Sequence, residues 1–330
     1  MQTIREKKMS DLVKGTAVSM MVFLSLFCFV SCSDETGNEQ YSIDKISFDD
    51  YPRVDGSTST KPLNALISCK LLNIGYEWGP GILEWTLYPN NEDIPDAYSG
   101  FYGERIKASQ THNAFINLIE GHADIILTHR TISPDEKKRA GELGVTLIET
   151  SIALDAFIFV VNKNNPVRSL TVDQIQRIYT GEITNWQQVG GNDDVIQPFT
   201  RPRNSGSEEI MRNLVMGDLQ MGDFPECEIS SMAGVFPQLR DNISGICYTF
   251  NFYKDVMVRV PDESVPKISI NDVLPSENTI KNGTYPLVSK VYVAIRSDLD
   301  RNSMAYKMYE WLQTKEAHHV ISECGYIPND

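Results

Sequence analysis

Three stretches of this chain set hydroxyls and glycine directly before a helix, an arrangement suited to holding an anion. In Asp55-Gly56-Ser57-Thr58-Ser59-Thr60, Pro62 follows at a first-turn position, and Leu63, Leu66, Ile67 and Leu71 form an apolar stripe behind it. The first N–H groups of a helix have no intrahelical acceptor and stand at the positive end of its dipole. Ser57, Thr58 and Ser59 therefore flank a place where negative charge is favoured. In Arg203-Asn204-Ser205-Gly206-Ser207-Glu208, Ser205 and Glu208 have capping-box spacing, and Gly206 lets a ligand approach the backbone closely. Arg201, two residues before Arg203, carries a guanidinium that can fork two parallel donors onto neighbouring oxygens. The third stretch is Thr128-His129-Arg130-Thr131, leaving a strand that ends at Leu127 and entering a helix opened by Ser133-Pro134-Asp135-Glu136. Each alone is an ordinary cap. Three together, with Arg130 and Arg201, define a candidate oxyanion site.

Elements able to position these loops alternate along the chain. Ala123–Leu127, Thr146–Ile148, Ala156–Val161, Gly245–Phe250 and Val291–Ile295 read as strands, the longer apolar runs as strands buried on both faces. Thr171-Val172-Asp173-Gln174 is a capping box whose helix carries Ile175, Ile178 and Tyr179 on one stripe and ends at Gly181, while Met304, Met308, Trp311 and Leu312 mark a C-terminal helix. The alternation predicts an α/β fold. Trp78, Trp85, Tyr88, Phe101 and Tyr102 lie in a segment broken by Gly79-Pro80-Gly81 and Pro89-Asn90-Asn91, which reads as an irregular insertion partly covering the site.

At the N-terminus Arg5, Lys7, Lys8 and Lys14 precede an apolar run from Ala17 to Val30, too short for a typical membrane span and followed at once by polar residues. Phe29-Val30-Ser31-Cys32 resembles a bacterial lipobox, which implies that residues 1–31 are a discarded leader, that Cys32 is lipidated, and that residues 32–44 are a tether. The body is then expected outside the cytoplasm, anchored to a bacterial membrane. Net charge is −14, and it becomes more negative when the leader's lysines and arginine are removed. Nucleic acid is excluded as a natural partner. A field of that sign repels anions at long range, so any capture must rest on local donors. Of the remaining cysteines, Cys69, Cys227, Cys247 and Cys324, none lies in a CxxC pattern. They are expected as isolated buried thiols, with Cys227 and Cys247 the nearest pair for a disulfide.

Read together, these segments resemble the phosphate-binding protein family of Pst-type ABC transporters. The likeness rests on Asp55-Gly56-Ser57-Thr58, Gly121-His122-Ala123-Asp124-Ile125, Val161-Asn162-Lys163-Asn164-Asn165-Pro166-Val167, and Thr180-Gly181-Glu182-Ile183-Thr184-Asn185-Trp186. It extends through Arg201 with Ser205-Gly206-Ser207, Gly245–Tyr248 and Tyr285-Pro286-Leu287 to Gly325-Tyr326-Ile327-Pro328. The resemblance implies a two-lobed type II periplasmic-binding fold, with residues 45–150 and 286–330 as one lobe, 151–285 as the other, hinge strands between them and the ligand in the cleft. It implies inorganic phosphate or a similar oxyanion as ligand, held by Ser57, Thr58, Thr128, Arg130, Arg201, Ser205, Gly206 and Ser207. It further implies a membrane permease as partner and a monomeric, non-enzymatic role without cofactor. Ser59, His129, Asp155 and Arg203 are further candidates. Arg203 departs from the family, whose high-affinity binders place a proton-accepting carboxylate there. A site without such an acceptor favours a fully deprotonated oxyanion, so sulfate and substituted phosphoryl groups stay open, unless Asp155 takes the acceptor role.

His112, His122, His129, His318 and His319 show no metal-ligand spacing, so no metal is expected. No GxSxG elbow or P-loop is present, and Ser205 has no identifiable base. A different class, a cell-surface sensor or adhesion protein reusing the fold without a transporter, is the alternative that Arg203 and the aromatic insertion keep open.

Overall fold

A single long strand, Leu147–Val161, runs through the middle of the main sheet and changes partner at Ala156–Phe157. Its first part, up to Ala156, pairs antiparallel with Val288–Arg296, and from Phe157 onward it pairs antiparallel with Gly245–Phe250. The two strand runs expected at Thr146–Ile148 and Ala156–Val161 are thus one continuous element. In the computed structural model, which describes residues 43, 46–81, 84–227, 232–258 and 263–329, the sheet order is Val54–Gly56, Ile125–Thr128, Val288–Arg296, Leu147–Val161, Gly245–Phe250, Gln197–Pro198. Ile327–Pro328 adds beside the central strand. The outer pairs on either side are parallel, Val54–Gly56 with Ile125–Thr128 and Gln197–Pro198 with Gly245–Phe250. The expected α/β class is therefore the observed one. The leader, Cys32 and the tether up to residue 42 lie outside the described residues.

Burial follows the apolar runs. Ala156 to Val161 is buried without a break, as a strand covered by helices on both faces requires. The Thr180–Trp186 stretch is a core device: Trp186 is 1% exposed and its indole N–H donates to the Ser244 carbonyl at 3.0 Å. Gly191 packs on it so closely that a Cβ there would lie 2.8 Å from the Trp186 Cβ. That motif builds the scaffold and lies away from the site described below.

The segment expected to be irregular is ordered differently. Tyr76–Pro80 and Trp85–Pro89 pair antiparallel, and 3-10 turns at Asn91–Asp93 and Asp96–Tyr98 follow. Trp78 and Leu87 face each other in register, and the prolines sit at strand ends, where a missing donor costs no ladder bond. Among the described residues, no helix is long and apolar enough to cross a membrane.

Candidate functional site

The turn Ser57–Thr60 hangs from the strand Val54–Gly56 and runs straight into the helix Lys61–Leu72. Gly56 makes this turn possible. A Cβ there would meet Thr60 Oγ1 at 2.6 Å and the Leu127 carbonyl at 2.7 Å, and that carbonyl accepts the Ser57 N–H at 3.0 Å. Across from it, Ser205 caps the short helix Gly206–Ile210, its hydroxyl accepting from the Glu208 N–H at 3.2 Å. Asn204, in the left-handed region at φ 65°, turns the chain into that cap.

These two turns share one cleft of about 40 Å³. One side carries Ser57, Thr58 and Ser59, another Arg201, Ser205, Gly206 and Ser207, and Met232 and Phe250 also line it. The remaining wall is Gln110 and Thr111, the start of the helix Thr111–Ile119, which sequence reasoning missed. Thr111 touches both turns: its hydroxyl lies 2.8 Å from Ser57 Oγ, and a Cβ on Gly206 would come within 2.8 Å of the same oxygen. Nothing at Gln110 resembles a cap, since its φ is 71° and no side chain caps the helix. The only sequence signal was a threonine opening an apolar run.

The third predicted loop lies behind the cleft rather than on it. Thr128 is fully buried and its hydroxyl donates to the Arg130 carbonyl at 2.8 Å. Arg130 is 4% exposed and forks both terminal nitrogens onto Glu136, each at 2.7 Å, while Nη2 also donates to the Asn204 carbonyl at 3.0 Å. Its charge is thus neutralised inside the protein, and it props the Ser205 turn from behind. Neither Thr128 nor Arg130 is among the residues that line the cleft. Arg203 opens on a separate, larger polar pocket of about 550 Å³ that it shares with Arg212, Glu226 and Arg201. His129, expected on a loop facing ligand or solvent, is fully buried, with the Phe250 ring 4.2 Å and the Tyr326 ring 5.5 Å from its own.

Among the described residues the cleft therefore offers hydroxyls from Ser57, Thr58, Ser59, Thr111, Ser205 and Ser207, the guanidinium of Arg201, and no carboxylate in its lining. Arg201 is 3% exposed and its backbone N–H is held by Glu208 at 3.1 Å. Glu208 also takes the Tyr248 hydroxyl and pairs with Arg212 at 2.7 Å, so this carboxylate is engaged behind the arginine. Beside Arg201, the Cys227 thiol is brought down to about 7 by its hydrogen bond with Cys247, the Arg201 charge adding to the effect against the cost of burial. The two sulfurs are 3.6 Å apart and both are free thiols here. The other histidine near the site, His112, lies 2.9 Å from Glu136.

With a cleft of this make-up set beside a sheet whose central strand serves both halves, comparison with known proteins gives the class. Residues 102–315 match the model of the PBP superfamily domain, and the chain belongs to that superfamily. It is 27% identical over 223 residues to the phosphate-binding protein PstS of Staphylococcus saprophyticus, covering 66% of this chain and 69% of that one. It is 22% identical over 259 residues to protein SphX of Synechococcus elongatus, covering 74% and 75%. An ABC-type phosphate transport receptor from Vibrio cholerae shares the fold, with a TM-score of 0.57 and 24% identity over 83% of this chain and 98% of that one.

Proposed function

We propose that this chain is a substrate-binding protein that captures an oxyanion, phosphate foremost, and hands it to an ABC transporter permease. The observation that carries the reading is the cleft lining, which among the described residues holds six hydroxyls, a buried arginine and two turns leading into helices, and no carboxylate. Hydroxyls and helix-start N–H groups replace the water around an anion, and Arg201 supplies the charge that the acidic surface cannot. The names of the PstS relatives point the same way.

In this reading residues 45–150 with 286–330 form one lobe and 151–285 the other. The strand pairing supports it, because Leu147–Val161 changes partner at Ala156–Phe157, where a hinge between two lobes would lie. Closing would bring the Ser57 and Ser205 turns together around the ligand, and the closed form would engage the permease. The protein acts as a monomer outside the cytoplasm, tethered through Cys32.

Calorimetry of the purified chain against phosphate, sulfate and a phosphonate tests the reading. Arg201→Ala removes a charge-assisted bond of about 1.5–3 kcal/mol and should weaken oxyanion binding roughly 10- to 150-fold. Wild-type affinity in that variant would move the site elsewhere.

A further inference from the structure

Behind the cleft wall, Ser59, His129 and Asp155 form a buried hydrogen-bonded chain that the anion-holding groups alone do not require. Ser59 Oγ lies 2.8 Å from His129 Nδ1, and His129 Nε2 lies 3.2 Å from Asp155 Oδ2. All three side chains are at most 3% exposed, and Ser59 alone of them lines the cleft.

Resting on the oxyanion reading above, we propose that this chain fixes the Ser59 hydroxyl as a hydrogen-bond acceptor facing the ligand, so that the cleft prefers a monoprotonated phosphoryl group to a fully deprotonated oxyanion such as sulfate. The direction of each bond follows from the end of the chain farthest from the cleft. Asp155 Oδ1 accepts the Ala156 N–H at 2.7 Å and the Phe252 N–H at 3.0 Å, at the point where the central strand changes partner. A carboxylate held by two backbone donors acts as acceptor with its other oxygen too, so His129 carries its hydrogen on Nε2. In its neutral form the ring then has only a lone pair at Nδ1, and the Ser59 hydroxyl must donate to it. Its single hydrogen is thereby turned away from the cleft, and lone pairs remain on the ligand side.

Rotation does not undo this arrangement. The ring is held between Phe250 and Tyr326, and the Tyr326 hydroxyl donates to the Ser59 carbonyl at 2.8 Å, pinning that residue's backbone. A ligand oxygen bearing a proton completes the Ser59 site, whereas a bare one meets lone pair against lone pair. Asp155 thus supplies an acceptor to the cleft at second hand, and Arg203, which faces the other pocket, has no part in it.

The experiment is calorimetry with phosphate and with sulfate on the full chain and three variants, each checked for folding by circular dichroism. The wild type is expected to favour phosphate, and Ser59→Ala to lose about 10- to 100-fold for phosphate while keeping or gaining sulfate affinity. Ser59→Thr, which keeps the hydroxyl, should restore the preference. Asp155→Asn is the sharper test. Its oxygen must stay on the two backbone N–H groups, so its amide donates to Nε2, moves the ring hydrogen to Nδ1 and turns the Ser59 hydrogen toward the ligand; the preference should shift to sulfate. Phosphate binding with an unchanged phosphate-to-sulfate ratio in Ser59→Ala and Asp155→Asn would overturn the acceptor role and leave the oxyanion function standing. A wild type that binds neither anion would instead overturn the oxyanion reading itself.

Discussion

Gly206 is a residue at which the site has little slack. It stands on the cleft wall with Thr111 Oγ1 where its own Cβ would be, at 2.8 Å. Gly206→Ala should therefore push the Ser205 turn off the Ser57 turn and weaken phosphate binding by about 1–3 kcal/mol, with little change in melting temperature, since the strain falls on the cleft and spares the core. Calorimetry paired with thermal unfolding reads both. Cys227 and Cys247 give a second residue-scale expectation. Their sulfurs are 3.6 Å apart, and the lowered Cys227 thiol supplies the attacking thiolate. Under a disulfide-bearing oxidant they should pair, losing the mass of two hydrogens in intact-mass analysis without reductant. Cysteines that both still react with a thiol label after unfolding would contradict this. Sequence alone named them only as the nearest pair, because spacing says nothing about two side chains meeting across the Thr200 and Gly245–Phe250 backbones.

At the scale of elements, the starts of helices were the legible part. Capping is local chemistry: Thr171 with Gln174 forms the capping box its spacing predicts, and at Ser133 the Glu136 carboxylate accepts the Ser133 N–H at 2.8 Å. The Ser57 and Ser205 turns, read in the same way, do line one cleft. What spacing cannot tell is which side of a loop faces the ligand. Thr128–Thr131 has the right composition and follows the right strand, yet Glu136 lies one turn into the next helix and draws the Arg130 guanidinium inward. Thr111, which does line the cleft, opens a helix without any cap and so left no signature. The buried Arg130–Glu136 fork should matter to stability more than to ligand choice. Glu136→Ala leaves a buried guanidinium unpaired and is expected to cost about 3–5 kcal/mol in denaturant unfolding. The same variant should keep the wild-type ratio of phosphate to sulfate affinity.

Across the whole molecule, the fold was readable in outline because strand and helix runs alternate, and the long strand was not, because Glu149 to Ser151 interrupts its apolar pattern. Those residues are half-exposed in the strand, held by pairing with Val288–Arg296 rather than by their own burial. The proposed lobes meet at a small polar latch beside the cleft. Arg130 reaches the Asn204 carbonyl at 3.0 Å, and the Asn204 side chain donates to Asp135 at 3.2 Å. If closure carries the ligand, Asp135→Ala should speed release and lower affinity about 2- to 10-fold for phosphate and sulfate alike, since it removes one bond made only when the lobes meet. Stopped-flow release rates check that expectation. The described residues of Tyr76–Pro89 line no part of the cleft, so ligand choice rests with the cleft residues. The most direct measurement is a crystal structure with arsenate, a phosphate mimic with its own anomalous signal. One strong arsenic peak is expected between Ser57–Ser59 and Ser205–Ser207, within hydrogen-bond reach of Arg201. A peak among Arg203 and Arg212 in the larger pocket, with the small cleft empty, would contradict it.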